Sequence, residues 1–385
     1  MTTSNNNLSL ISEEQNLLSI NKIISEISSK YDKLWMKRNR SIDSKFLISF
    51  IFQIISNKNK GYGISLLDLW DNYELQNIKP PQKKVFAASS VCEARQKFPE
   101  EIFIELNQRL LLEFESQEKL SLLLEKHRVF AVDGSRLNLP RDLINEGYKV
   151  CNKQSYYPQG LLSCIYNIDK HIAYDFCLSK KMDERMCALG HLEALTEGDV
   201  VLFDRGYFSY LLLYQCIEKK INPIFRISTE LQNQQVQNFV TSNKTDAIVE
   251  YTPSATTIAG IKRQGFDIKC NPINLRLVKH KIDGQVYVYA TNLIGDKYEV
   301  EIFSELYHER WDIEELYKIS KCLVDVEAFH SKTERGVRQE VYAHFVLINL
   351  ARFFENVAYI KYNNKKANSK FNFKNCLTVI GKYPI

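Results

Sequence analysis

Two short apolar runs that each end in an aspartate constrain the fold of this chain more than any other feature. Val129–Val132 is followed by Asp133, and Val200–Phe203 is followed by Asp204. Continuous apolar runs of this length are typical of strands at the centre of a sheet that is covered on both faces. The stretch from residue 128 to 227 therefore predicts an α/β layer.

Strand and helix patterns alternate around these two runs. Further strands are predicted at residues 160–167, 171–178 and 223–227, and helices at residues 183–195 and 209–219. A polar stretch rich in Gln, Asn and Thr begins at residue 228 and leads into strand patterns at residues 247–251, 273–281 and 284–293. The last two are joined by Ile282-Asp283-Gly284, which predicts a hairpin. We therefore expect a β-rich subdomain that interrupts the layer.

Helical periodicity dominates both ends of the chain. Apolar residues recur at helical spacing through residues 1 to 125, and a long helix is predicted from Glu334 to Tyr359. Within the first part, Ser89–Lys97 has the pattern of a small basic helix that could lie against DNA, and helix packing without a partner explains it equally well. After Glu355 the chain has six lysines and no acidic residue. That tail is either a solvated basic segment or a phosphate contact.

Composition excludes several classes of protein. The 385 residues are 45% hydrophobic and carry a formal charge of +5, which is compatible with nucleic acid without requiring it. Nine cysteines, an odd number without a C-x-x-C pair, indicate reduced thiols and neither a disulfide framework nor a zinc site. No secretory signal is visible, and the apolar run Phe46–Ile55 is too short to span a bilayer. We expect a cytoplasmic protein without a membrane partner.

A predicted helix over residues 307–321 carries four reactive side chains in one register. At about 100° per residue, Tyr307, Arg310, Glu314 and Lys321 share a stripe roughly 60° wide that borders the apolar sector. Surface ion pairs such as Arg310 with Glu314 are the simpler explanation of such a stripe. The position beside the buried face is unusual for a solvated surface, so a functional role is an equally open explanation.

Asp133, Asp204 and Glu314 are candidate ligands of a divalent cation. The carboxyl ends of sheet strands are where α/β proteins place their ligands, and two neighbouring aspartates repel each other unless a cation lies between them. Oxygen ligands without clustered His or Cys favour magnesium or manganese. Each aspartate alone could equally be a turn former, because each precedes or lies near a glycine.

Three blocks of residues resemble the catalytic blocks of bacterial insertion-sequence DDE transposases with the YREK signature. These blocks are Asp133-Gly134-Ser135, the run from Phe203 to Tyr207 (FDRGY), and Y-x2-R-x3-E-x6-K over Tyr307, Arg310, Glu314 and Lys321. The resemblance extends from about residue 128 to 355. It implies an α/β fold with an RNase H-like mixed sheet flanked by helices, a β-rich insertion subdomain and a helical N-terminal domain.

The domain order follows from this resemblance together with the local patterns. We expect a helical N-terminal DNA-binding domain at 1–125, the first part of the catalytic core at 126–227, the β-rich insertion at 228–300, the helices that complete the core at 301–360, and a basic C-terminal tail at 361–385.

The resemblance also implies roles for individual residues. Asp133, Asp204 and Glu314 would hold two Mg²⁺ ions, with Mn²⁺ as the alternative, for in-line attack on a phosphodiester. Arg310 and Lys321 would hold phosphate oxygens, the first as a fork and the second as a point charge. The phenol of Tyr307 would donate to a phosphate.

Two further residues are candidate DNA contacts. Tyr287 occupies the position where this family places an aromatic residue that assists a flipped base, although ordinary packing of a strand tyrosine explains it as well. Arg205 follows Asp204 and would either brace that carboxylate or contact DNA.

The implied function is DNA transposition. The enzyme would cut double-stranded DNA at the terminal inverted repeats of an insertion sequence and join the ends to target DNA, acting as a homodimer on nucleoid DNA in the bacterial cytoplasm. Two alternatives stay open: a DNA-binding relative whose catalysis has lapsed, and an RNase H-like metal nuclease that only hydrolyses.

Overall fold

A computed structural model of the chain describes residues 3–38, 40–56, 60–117, 124, 127–151, 155–231, 233–282, 284–295, 298–323, 325–362 and 372–382. The chain divides into two compact units. The first, the helical unit, contains Met1–Lys119, Arg136–Gly160 and Tyr317–Ile385. The second, the sheet unit, contains Leu120–Ser135 and Leu161–Leu316.

The elements follow in chain order. The α-helices are α1 (Thr3–Trp35), α2 (Ser44–Ser56), α3 (Tyr62–Leu75), α4 (Ala88–Lys97), α5 (Glu101–Gln117), α6 (Glu184–His191), α7 (Tyr210–Glu218), α8 (Gln234–Thr241), α9 (Ala255–Arg263), α10 (Val300–Glu309), α11 (Asp312–Lys318), α12 (Glu334–Tyr362) and α13 (Phe373–Lys382). The strands are β1 (Val129–Asn138), β2 (Gln159–Asn167), β3 (Ile172–Ser179), β4 (Val200–Phe203), β5 (Asn222–Ile227), β6 (Asp246–Tyr251), β7 (Ile273–Ile282) and β8 (Gln285–Thr291).

The strands form one mixed sheet in the order β3-β2-β1-β4-β5-β8-β7-β6. Strands β1, β4 and β5 are parallel to one another, whereas β3 is antiparallel to β2. The insertion continues the same sheet, because β8 pairs antiparallel with β5 and with β7. Mixed sheet, flanking helices and a helical N-terminal region confirm the predicted fold class.

Two helices inside the insertion, α8 and α9, were not predicted. Both are short, and the Gln-, Asn- and Thr-rich composition of this stretch favoured a polar loop over a helix. Their local signals are nevertheless present, because the side chains of Asn233 and Ser254 cap the first turns by accepting from the N–H groups of Val236 and Thr257.

The apolar runs form the core of the sheet unit. Strand β4 is fully buried, and its Phe203 ring stacks on Phe225 of β5 with centroids 4.7 Å apart. Helices α6 and α7 contribute further apolar side chains, among them Ala188 and Leu212. Burial on both faces explains why these strands are continuously apolar.

The helical unit has its own core. Most of α2 is buried, which agrees with the interpretation of its apolar run as a core helix. Helix α4 buries Val91 and Arg95, and Arg95 forms an ion pair with the buried Glu340 of α12 at 3.0 Å. Packing therefore accounts for one face of α4, while Gln96 and Lys97 are exposed.

The C-terminal stretch contains helix α13, which was not predicted; residues 363–371 and 383–385 of the expected basic tail lie outside the described residues. Helix α13 packs closely on α2, because a Cβ atom at Gly381 would lie 1.7 Å from Ser56 Oγ. All nine cysteines are free thiols, as expected. Among the described residues, no helix is both long and apolar enough to cross a membrane.

Arg276 of β7 ties the insertion to the segment that leads into α10. Its guanidinium is 5% exposed, hydrogen-bonds both carboxylate oxygens of Asp246, and donates to the carbonyls of Leu293, Gly295 and Tyr298. A single buried cation therefore satisfies one carboxylate and three backbone acceptors.

Replacing Arg276 with methionine should destabilise the protein strongly. The loss leaves Asp246 without its buried partner and three carbonyls without a donor, which we expect to cost about 2–4 kcal/mol in the free energy of unfolding. Lys281→Met is the matched control, because Lys281 lies at the exposed end of the same strand and should change stability by less than about 0.5 kcal/mol. Equal effects in urea titrations would contradict the anchoring role.

Candidate active site

The parallel register aligns three polar residues in one row. Val132 of β1 pairs with Phe203 of β4, and Phe203 pairs with Phe225 of β5. The next residue on each strand is polar: Asp133, Asp204 and Arg226. Because neighbouring strands lie about 4.8 Å apart, these three residues stand side by side at the edge of the buried core.

The row does not coincide with the end of β1. The sequence predicted that β1 would stop at Asp133 and turn at Gly134-Ser135, but the strand continues to Asn138. Strand β4, in contrast, ends at Phe203. Asp133 is therefore held within a strand, and Asp204 lies in the turn that follows one.

The predicted single helix over residues 307–321 is wrong. Helix α10 ends at Glu309 and α11 begins at Asp312, with a tight i to i+3 bond from the N–H of Glu314 to the carbonyl of Trp311 at 2.9 Å. A wider π-helical turn, Ile319–Leu323, follows. A continuous 100° register therefore does not connect Arg310 to Lys321.

Tyr307 connects α10 to the polar row. Its hydroxyl donates to Asp204 Oδ1 at 2.7 Å, and its side chain is 5% exposed. Burial and the neighbouring Asp204 carboxylate raise the pKa of this phenol, so it remains a donor at neutral pH. The Arg310 guanidinium lies over the tyrosine ring, 5.5 Å from its centroid.

Arg310 is the buried cation of the site. Its side chain is largely buried, and its Nη2 donates to Glu314 Oε1 at 2.7 Å, which forms the predicted i, i+4 pair. The same guanidinium acts electrostatically on Asp133 and Asp204. Its Nε is buried without a hydrogen-bond partner in the described part of the chain. One guanidinium thus bonds to Glu314 and also stabilises the negative charges of Asp133 and Asp204.

The two aspartates of the row have opposite electrostatic environments. Burial raises the pKa of Asp133 to about 6, and the charges of Glu184 and Glu314 add to the increase, against the Gly134 N–H and Arg310. Burial also raises the pKa of Asp204, but the hydrogen bonds from Tyr307 and the Arg205 N–H, with the charges of Arg310 and Arg226, lower it overall.

The chemistry of this donor set fits a hard divalent cation. Carboxylate oxygens are the ligands that Mg²⁺ and Mn²⁺ prefer, and Asp133, Asp204 and Glu314 outnumber the single guanidinium they share. The hydroxyl of Tyr207 is buried near the two aspartates, and no described residue hydrogen-bonds to it. Within the described ranges, no three Asp, Glu, His or Cys side chains converge as a preassembled metal site, and Glu314 is turned toward Arg310.

The remaining predicted residues lie in different settings. Arg205 is exposed in the turn after β4. Tyr287 of β8 is half-buried; its hydroxyl donates to Gln285, and the Arg226 guanidinium lies 5.0 Å from its ring centroid. Lys321 belongs to the helical unit and donates to the carbonyl of Arg136 at 2.6 Å.

Two residues near the row were not predicted as site residues. Arg226 directly follows an apolar run, Ile224–Phe225, as Asp133 and Asp204 follow theirs, and that position was its signal. Trp311 lies at the junction of α10 and α11 and is 60% exposed. Packing of the core does not explain why a ring of this size is exposed next to a buried arginine.

Comparisons with known proteins give a protein family and a similar solved structure for this chain. A family described as "Transposase DDE domain" matches residues 124–350, which is more than half of the chain. A comparison with curated protein sequences gave no match. Among solved structures, the cryo-EM structure of a piggyBac transposase synaptic complex with hairpin DNA is similar with a TM-score of 0.47 and 11% identity, over 95% of this chain and 80% of that one.

Asparagine substitutions in the row should shift stability in opposite directions when EDTA is present. Asp133→Asn removes a buried carboxylate whose pKa is raised to about 6, so the free energy of unfolding at pH 8 should rise by about 1–3 kcal/mol. Asp204→Asn weakens the hydrogen bond from Tyr307, so the same quantity should fall by about 1–2 kcal/mol. Denaturant titrations measure both changes.

The pH dependence tests the cause of the Asp133→Asn gain. A raised pKa means that the folded state binds this proton more tightly than the unfolded state, so the wild-type protein loses stability as the pH rises from about 4 to about 6. The gain should be complete at pH 8 and small at pH 4. The same gain at both pH values would show that the buried charge is not its source.

Proposed function

Because the chain belongs to the transposase DDE domain family, we propose that it is a DNA transposase that cuts the ends of an insertion sequence and joins them to target DNA. The observation that carries this proposal is the placing of Asp133 and Asp204 directly after the last register pair of β1 and β4, next to Tyr307, Arg310 and Glu314 of the α10–α11 region. Carboxylates that lie close together and outnumber the neighbouring basic side chains favour phosphoryl transfer assisted by divalent metal ions.

In this proposal Asp133, Asp204 and Glu314 hold two Mg²⁺ ions, or Mn²⁺ in their place. When bound, such ions activate a water or a DNA 3′-hydroxyl and stabilise the leaving oxygen in an in-line attack on a phosphodiester. The protein contributes positioning and charge, because little covalent work is left for its side chains.

Tyr307 and Arg310 prepare the carboxylates. The Tyr307 hydroxyl fixes the orientation of Asp204 at 2.7 Å and favours its ionised form. Arg310 holds Glu314 at 2.7 Å. Release of Glu314 would leave a planar fork that suits two oxygens of a DNA phosphate.

Other basic and aromatic residues are proposed to contact DNA. Lys321 would act as a point charge for a phosphate, and Arg205 is exposed enough to reach the backbone. Tyr287 would stack on a displaced base, although its ring also packs against Arg226. The spacing of Tyr307, Arg310, Glu314 and Lys321 supports membership of the YREK-signature group.

The partners in this proposal are double-stranded DNA and a second copy of the chain. The helical N-terminal region at 1–125 would bind terminal inverted repeats, with the basic C-terminal stretch adding phosphate contacts whose strength falls with salt. A homodimer would hold both ends of the element together. The same roles place the protein on nucleoid DNA.

The nuclease alternative differs only in its product. Hydrolysis and strand transfer use the same site, with a water in the first reaction and a DNA 3′-hydroxyl in the second. Cleaved ends that never join a target plasmid would favour the nuclease. The other alternative is a DNA-binding relative that has lost its catalytic activity. In that case the three carboxylates do not support catalysis, so we expect sequence-specific DNA binding without any cleavage.

Glu314→Gln should abolish cleavage while leaving the fold intact. The amide keeps the shape of the side chain and removes the charge needed for a cation, so Mg²⁺-dependent cutting of DNA that carries the two element ends should fall by roughly 10²-fold or more. Glu315→Gln is the matched control, because Glu315 is the next residue on α11 and is also exposed. Gel assays of cleaved and joined products measure both activities.

Three results would contradict this proposal. If Glu314→Gln cuts as fast as wild type, the carboxylate is not a cation ligand. If Glu315→Gln loses as much activity, the effect belongs to α11 as a whole. Equal affinity for element ends and for random DNA at moderate salt would contradict the transposase function itself. A transposase must bind its element ends more tightly than the non-specific affinity that phosphate contacts give for any DNA.

A further inference from the structure

Glu184, at the start of α6, lies against the strand that carries Asp133. A Cβ atom added to Gly134 would come within 3.2 Å of Glu184 Cγ and 3.4 Å of its Oε1. These would be tight contacts, so the glutamate side chain lies close to the backbone next to Asp133. Glu184 is exposed, and its charge raises the pKa of Asp133.

The first turn of α6 is anchored from both sides. Asp183 caps the helix by accepting from the N–H of Met186 at 3.1 Å. Arg185 donates from its Nε to the carbonyl of Gly206 at 2.9 Å, which joins α6 to the turn that follows Asp204. The start of α6 therefore contacts both aspartate-bearing segments, through Glu184 near Gly134 and through Arg185 at Gly206.

Tyr207 supplies an independent observation at the same place. Its side chain is 1% exposed, and its hydroxyl is buried without a hydrogen-bond partner among the described residues. Burial, together with the charges of Asp133, Glu184 and Asp204, raises its pKa well above the usual range. A buried hydroxyl without a partner is costly unless a ligand completes its hydrogen bond.

We propose that Glu184 is a fourth carboxylate of the active site, which shares a divalent cation with Asp133 while the Tyr207 hydroxyl donates to a ligand of that cation. The inference rests on the proposed function, because it assigns a new residue to the same cation site. Oxygen donors of this kind suit Mg²⁺ or Mn²⁺.

Charge balance favours this assignment. Asp133, Asp204, Glu184 and Glu314 bring four negative charges to the region, and Arg310, the guanidinium buried among them, is already bonded to Glu314. A second guanidinium, that of Arg226, acts on Asp204. Asp133 and Glu184 add two of these charges on adjacent segments, and adjacent carboxylates repel unless a cation joins them.

Mn²⁺ binding to the full chain tests the proposal without measuring activity. Isothermal titration at pH 8 without DNA should show that Glu184→Gln weakens Mn²⁺ binding about tenfold or more. Glu193→Gln is the control, because Glu193 is an exposed carboxylate just after α6 that pairs only with Lys219 at the surface among its described contacts. Unchanged Mn²⁺ affinity in Glu184→Gln with normal melting would overturn the proposal.

Asp133→Asn separates this proposal from the proposed function. Weaker Mn²⁺ binding in Asp133→Asn but not in Glu184→Gln would refute the role of Glu184 alone. Unchanged binding in both variants would refute the cation site on which the proposed function depends.

Tyr207→Phe distinguishes a donor to a bound ligand from a structural hydroxyl. We expect weaker Mn²⁺ binding with a melting temperature in EDTA that is unchanged or higher, because phenylalanine leaves no buried hydroxyl without a partner. A lower melting temperature in EDTA with unchanged Mn²⁺ affinity would show that the hydroxyl supports the fold and not the cation.

Discussion

The parallel register of β1, β4 and β5 is the constraint on which the candidate site depends. Because Val132, Phe203 and Phe225 are register partners, the residue that follows each of them belongs to one row. The stacked rings of Phe203 and Phe225 secure that register inside the core. A slip of one residue would turn the row to the opposite face of the sheet. Apolar packing therefore brings together polar side chains that would otherwise repel each other.

The protein stabilises the negative charges of these two neighbouring aspartates to different extents. Asp204 has Tyr307 and two guanidinium groups around it, so its ionised form is stabilised by the protein itself. Asp133 lies on the other side of the row, where burial and neighbouring carboxylates make ionisation costly. Ionisation of the buried Asp133 lowers the free energy of unfolding, and a cation bound to its carboxylate would raise that free energy again. A candidate site that lowers the stability of the fold fits selection for activity over stability.

Local signals explain which parts of the fold were predictable. The apolar runs and the turn at Ile282–Gly284 predicted the strands and the hairpin, because burial and turn geometry act over a few residues. Helices α8 and α9 were missed because their stabilising caps lie within a polar composition. Arg226 was missed although it follows an apolar run as the two aspartates do, because a basic side chain is not a cation ligand. Its place in the row depends on the pairing of β4 with β5, which is a long-range contact.

The break between α10 and α11 shows why a motif based on spacing can describe the site even where its helix is interrupted. The steps from Tyr307 to Arg310 and from Arg310 to Glu314 each span about one turn, and both correspond to direct contacts. The tight turn leaves Arg310 buried and Trp311 exposed, so one junction presents a cation inward and an aromatic ring outward. The longer step to Lys321 crosses the π-helical turn, where the advance per residue is smaller than in an α-helix. Short spacings are therefore constrained by contact, and the long spacing depends on the change of helix type.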